Sequence, residues 1–164
     1  MLELDHPPTY RYSGEAPSCD WGIAMTVQSV LLPVFVMIGL TFALLFAMVG
    51  ARRSALVSRE TQIRDIALGQ PNWPTRATQV GNCYRNQFEL PVLFYVLIAI
   101  ALPIRHADLV IVMLSWVFVV CRFVHAGIFV SSNDLGQRSM AWLSSALVLL
   151  AMWVYFALKI LLLI

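Results

Sequence analysis

The amino-acid sequence predicts an all-α membrane protein, a bundle of four transmembrane helices. Three observations carry that prediction. Of 164 residues, 60% are hydrophobic and 12% charged, where soluble domains have about 45–50% and about 25%. The mean hydropathy is +0.77. Four apolar stretches also recur along the chain, and all but the first connection between them are short. The length suits one domain. The net charge of +2 is too small and too scattered for a phosphate-binding surface, which excludes a nucleic-acid partner. Three cysteines, Cys19, Cys83 and Cys121, contain no CxxC pair, which excludes a disulfide framework and a cysteine-rich zinc site; no metal ligand set is predicted.

Residues 1–24 read as an N-terminal extension. Glu3, Asp5, Glu15 and Asp20 against Arg11 fit an outside position, and the segment lacks the basic start and small-residue cleavage site of a signal peptide. Met25 begins a stretch that would work as a start on its own, so 25–164 is taken as the membrane domain. No Asp, Glu, Lys or Arg occurs over 21–51, more than the ~20 residues a bilayer needs. This predicts helix one over about 27–51, with Pro33 tolerated near its start.

A basic connection follows, with Arg52, Arg53, Arg59 and Arg64 against Glu60 and Asp65. Ser58, an Ile63/Ile66/Ala67 face and Gly69 predict a short surface helix capped at both ends. Residues 70–74 form a turn in which Trp73 is an interfacial anchor.

The uncharged run 90–104 is too short to cross alone, so helix two begins earlier and carries polar groups; Pro91 leaves the Gln87 carbonyl without its donor and predicts a kink. Helix three starts at Leu109 and must continue through Arg122 and His125 to about Val130. Helix four is the clean run 139–158, closed by Lys159. Connections one and three hold most of the basic residues, so the positive-inside rule makes that side cytoplasmic and places both termini outside.

The polar residues of helices two and three carry the chemistry. An ionised side chain near the bilayer centre costs roughly 2.5–3.5 kcal/mol on insertion scales and therefore needs a reason. Gln79, Asn82, Asn86 and Glu89 fall on one helical face, with Arg85 on its flank; Arg122, His125 and Phe129 share a face at i, i+3 and i+7. Arg138 and Ser139 open helix four on the same side. These groups can converge on one cavity near the cytoplasmic interface. Arg85, Arg122 and Arg138 against Glu89 leave it net positive, which suits a small anion with more than one carboxylate. Arg52 or Arg53, ending helix one, can reach it.

The structural readings are simpler. Arg122 and Glu89 can form an interhelical salt bridge, and Asn82 and Asn86 interhelical hydrogen bonds worth about 0.6 kcal/mol each. His125 lacks an intramembrane partner for haem ligation, Cys83 and Cys121 suit small core positions, and the loop arginines set topology. A proton or ion pathway is disfavoured because helix four offers no intramembrane carboxylate.

The run Arg85-Asn86-Gln87-Phe88-Glu89-Leu90-Pro91-Val92-Leu93-Phe94-Tyr95 resembles the helix-two signature of the MAPEG family, the membrane-associated proteins in eicosanoid and glutathione metabolism. Arg122-Phe123-Val124-His125, followed by Arg138-Ser139, resembles the helix-three and helix-four segment of its prostaglandin E synthase branch. The resemblance covers about Met25 to the C-terminus and is greatest to bacterial members, implying an inner-membrane protein. It implies a homotrimer of four-helix protomers that binds glutathione between neighbouring subunits as a co-substrate. By matching positions Arg85, Asn86, Glu89, His125 and Arg53 would hold glutathione, with Arg122 in the same cation-rich cavity. Arg138, with Ser139 beside it, would stand nearest the thiol. The implied reaction is transferase or peroxidase chemistry on a small lipophilic electrophile or lipid hydroperoxide entering from the membrane lipids. Three positions depart from the pattern: Phe129 stands where an aromatic hydroxyl is common, Asn82 where an arginine is, and Trp142 where a tyrosine is. Lost donors at these places keep a second reading open, a non-catalytic lipid-binding or scaffold subunit whose polar stripe is structural.

Overall fold

The structure, a computed structural model, describes residues 25–69 and 72–162. The expected extension over 1–24, with Cys19, and the first two residues of the 70–74 turn lie outside the described residues.

Helix α1 spans Val27–Val57, and the Thr26 hydroxyl caps it by accepting from Ser29 N–H at 3.3 Å. Val30, Pro33, Met37, Leu40, Leu44 and Met48 recur every three or four residues and are buried, while Phe35, Phe42, Phe46 and Val49 on the other side are exposed. Two aspects of the prediction need correction. The helix continues through Arg52 and Arg53 to Val57, because 51–57 holds no helix breaker and Ala55 is still buried. Ser58 therefore caps its C-terminus, and the chain turns at Arg59, whose φ is 60°. The capped surface helix does not form: the described part of this connection has one 3-10 turn, Ile63–Asp65. Its backbone groups are met across the loop, by Thr61 Oγ1 on the Asn72 carbonyl (3.1 Å) and Asn72 Nδ2 on the Asp65 carbonyl (2.8 Å). Gly69 sits at φ 79°, where a Cβ would be strained.

Predicted helix two is two helices. α2 covers Thr75–Arg85, a 3-10 turn covers Asn86–Phe88, and α3 covers Leu90–Ala101. The break exceeds the expected kink because Pro91, in the first turn of α3, has no N–H to carry the preceding helix onward, and the backbone leaves helical geometry at Glu89 (φ −99°, ψ −101°). The buried Gln87 amide nitrogen donates to the Cys83 carbonyl at 3.3 Å within this break. α4 spans Leu109–Val130 and starts on an Asp108 cap; α5 spans Leu135–Leu161 and starts on an Asp134 cap whose Oδ1 accepts from Gln137 N–H at 2.7 Å. Arg138 is thus already inside α5, a turn earlier than the apolar run alone indicates.

α4 packs along α5 and α1 along α2; α4 also meets α1 and α2, and α3 meets α5. Their shared core includes Met37, Phe94, Leu97, Phe118, Met152 and Phe156, with the Phe94 and Phe118 rings stacked at 5.0 Å. α1, α4 and α5 are each long and apolar enough to cross a membrane. Large apolar side chains are exposed along all three, such as Phe46, Val120 and Leu150, a surface that hydrocarbon tolerates and water does not. Where α4 begins, Asp108 Oδ2 accepts from Lys159 Nζ (2.7 Å) and from the Tyr155 hydroxyl, tying that end to α5.

Candidate functional site

The inward face of α4 presents Arg122, His125 and Phe129, all buried, toward the break between α2 and α3 and the first turn of α5. Arg122 has 0% exposure. Its Nη2 donates to the carbonyl of Asn86 at 3.1 Å and to Oδ1 of the same residue at 2.7 Å. The amide nitrogen of Asn86 then donates to Glu89 Oε2 at 2.7 Å. No carboxylate among the described residues lies within 4.0 Å of the guanidinium, so the salt bridge Arg122–Glu89 is replaced by a relay through Asn86. The 3-10 turn is the reason: it directs both oxygens of Asn86 inward and leaves Glu89 exposed. Arg122 Nε and Nη1, His125 Nε2 and Gln87 Oε1 are buried without a protein partner.

A second group joins α2, α4 and α5. His125 Nδ1 donates to the Arg138 carbonyl at 3.0 Å. The Arg138 guanidinium lies over the Phe129 ring, 4.2 Å from its centroid, and donates from Nη1 to Asn133 Oδ1 at 2.5 Å. Gln79 Nε2 donates to the Phe129 carbonyl at 2.6 Å, and Arg76 donates to the Val130 carbonyl. Beside them runs a groove of about 300 Å³ lined by Trp73, Thr75, Thr78, Gln79 and Asn82 on one wall and Phe129, Asn133 and Arg138 on the other. Arg52 stacks on Trp73, 4.9 Å from the ring centroid, and so anchors that wall to α1.

The predicted site residues separate accordingly. Arg122, Asn86 and Glu89 form one chain of hydrogen bonds; His125 and Arg138 form another. Arg85 is exposed and donates to Asn82 Oδ1 at 2.6 Å within α2, so Asn82 bonds within its own helix and not between helices. Arg53 and Ser139 are exposed, and their side chains make no hydrogen bond to another described residue. Trp73, Gln79, Gln87 and Asn133 contribute more than sequence reasoning assigned them. Of these Gln79 carried a signal in its place on the polar stripe of α2, and Trp73 one only as an interfacial anchor.

These features define a helical integral membrane protein with an arginine and a histidine, Arg122 and His125, buried among its helices. The sequence profile of the MAPEG family matches residues 30–158, and the chain belongs to that family. Searches of curated proteins and of solved structures return no significant match.

Proposed function

We propose that the protein is a glutathione-dependent membrane enzyme of the transferase or peroxidase type. The observation that carries this reading is the pair of arginines, buried Arg122 and half-buried Arg138, with no carboxylate among the described residues within ion-pair distance of either. Uncompensated guanidinium charge at a membrane site favours a bound anion. Arg122 Nε and Nη1 and His125 Nε2 are unsatisfied polar atoms facing no protein partner, which suits a polar ligand; glutathione offers two carboxylates and two peptide bonds. Arg85, Asn86 and Glu89 would hold it from α2 and the break after it. Arg53, exposed and without a side-chain hydrogen bond among the described residues, would reach the glutathione of a neighbour. The reading includes a homotrimer of four-helix protomers in which α2 and α3 together would make one crossing. Connections one and three would face the cytoplasm, with both termini outside, in a bacterial inner membrane; 25–164 would be the membrane domain.

Arg138 would act on sulfur. A free thiol has pKa near 8.5, and a guanidinium beside it favours the thiolate. The thiolate then attacks an electrophilic carbon presented from the bilayer, forming a C–S bond as the leaving group departs with the electron pair. With a lipid hydroperoxide it attacks the terminal oxygen, and the O–O bond breaks to release the lipid alcohol. A second glutathione converts the resulting sulfenic acid to the disulfide and water. Ser139 adds a hydroxyl next to this cation.

The test is glutathione titration of detergent-purified protein, following thiolate absorbance near neutral pH. A saturable signal, lost in Arg138→Ala with the fold kept, is the expected result. Failure to bind at millimolar glutathione, with Arg138→Ala changing nothing, overturns the enzyme reading. It would favour the scaffold alternative, in which the Arg122–Asn86 contact only ties α4 to the break.

A further inference from the structure

An arginine in the first turn of a helix has no help from that helix, whose N-terminal end is the positive one. Arg138 holds this position in α5 and is half-buried. Its side chain would ordinarily sample many rotamers. Two contacts remove that freedom, the Phe129 ring face at 4.2 Å and Asn133 Oδ1 at 2.5 Å, while His125 Nδ1, donating to the Arg138 carbonyl at 3.0 Å, holds the backbone from which the side chain projects. The ring is itself fixed. Gln79 holds its backbone carbonyl at 2.6 Å, and the His125 ring meets it edge-on at 5.7 Å between centroids. Among the described residues lining the groove, Arg138 is also the one charged side chain.

We propose that Phe129 is a positioning residue: its ring face, with Asn133, holds the Arg138 guanidinium at the groove in the one orientation from which it can meet an anionic sulfur. The absence of a hydroxyl at 129 is then no defect, since the cation is held by the π-face. The geometric half of this inference stands on the contacts alone. Its catalytic half rests on the glutathione reading above.

The experiment uses the full-length protein in detergent, with Phe129→Leu, Phe129→Tyr and Phe129→Trp. Without glutathione, the Arg138 Hε resonance, assigned by its loss in Arg138→Lys, is expected upfield under the ring current. It should stay upfield in the two aromatic variants and return to the ordinary position in Phe129→Leu. An ordinary position in the unsubstituted protein overturns the proposal. With glutathione, the pH midpoint of thiolate absorbance is expected to rise by about half to one unit in Phe129→Leu, a roughly 3–10-fold loss of thiolate stabilisation. Half-saturation by glutathione should change much less, and Phe129→Tyr should restore the midpoint, which a packing role would not. Equal midpoints in Phe129→Leu and the unsubstituted protein overturn the catalytic half. An upfield resonance with no glutathione bound supports the positioning and overturns only the glutathione reading.

Discussion

Arg122 gives one nitrogen to both oxygens of Asn86, at 3.1 and 2.7 Å, although the carboxylate of Glu89 stands only three residues further on. A charge buried among membrane helices is therefore tied to neutral acceptors, and the acid is reached only through the Asn86 amide. The neutral link keeps the positive charge of Arg122 from being cancelled on the spot. It also makes Asn86 the residue on which both neighbours depend.

Asn86→Leu should consequently destabilise the protein by about 2–3 kcal/mol, the range for stranding a buried charged donor. Arg122→Met removes the charge along with its need for acceptors, so the double variant should lose less than the sum of the two singles. Unfolding of the four proteins in detergent, treated as a double-mutant cycle, measures the coupling; strict additivity would mean the contact has no energetic content.

Acid should weaken the opposite end. Burial raises the Asp108 carboxyl pKa, but bonds from Lys159, Tyr155 and Ile111 N–H and the ammonium charge outweigh it and hold the group below the usual carboxylate range. A depressed folded value stabilises the protein above the unfolded value of about 3.9, and that contribution disappears as pH falls through the folded one. Asp108→Asn should cost up to about 1 kcal/mol at neutral pH. The difference should close as both proteins are taken into acid, read from unfolding curves across pH.

Gly81 lies mid-helix in α2 against α1. A Cβ there would meet Arg52 Nη2 at 3.6 Å and the Met48 sulfur at 3.8 Å, both ordinary contacts. Gly81→Ala should be neutral or gain up to about 1 kcal/mol from helix propensity. Gly81→Leu has no such room and should push Arg52 off Trp73, which near-ultraviolet circular dichroism would register.

Arg53 is exposed, with no side-chain hydrogen bond or ion pair to another described residue, while Arg52 is held by Trp73. If glutathione sits between copies, Arg53→Leu alone and Arg138→Ala alone should each be inactive, yet their coexpression should recover part of the activity. Mixed oligomers would then contain some sites with both arginines. No recovery, with mixing proven by tags, would place both residues in one protomer's site.

Much of this could be read along the chain. The spans α1 and α5 follow from uninterrupted apolar runs, and α4 from a run that must continue through Arg122 and His125 to reach the length a bilayer demands. That Arg122, His125 and Phe129 share a buried face follows from a 3.6-residue period. Asp108 and Asp134 stand immediately before α4 and α5, where capping chemistry places them. Local information fixes such features, since each depends on residues within a turn or two.

Tertiary structure decided the rest. Nothing local tells whether Arg122 will find Glu89 or Asn86; the outcome hangs on how far Pro91 unwinds the preceding turn against α4. Nothing local brings Arg138 onto Phe129, Arg52 onto Trp73, or Lys159 and Tyr155 onto Asp108, because each pair joins segments whose separation is set by packing. The connection after α1 shows the same limit from the other side. Its helical pattern around Ile63 and Ile66 gave way to bonds between Thr61, Asp65 and Asn72. A weak helix of a few residues cannot offset its nucleation cost without an apolar surface to pack on. Composition and period determined which residues lie in the membrane and which face inward. Only the folded arrangement determined which of the inward groups meet, since hydrogen bonds depend on distances that no one-dimensional spacing encodes.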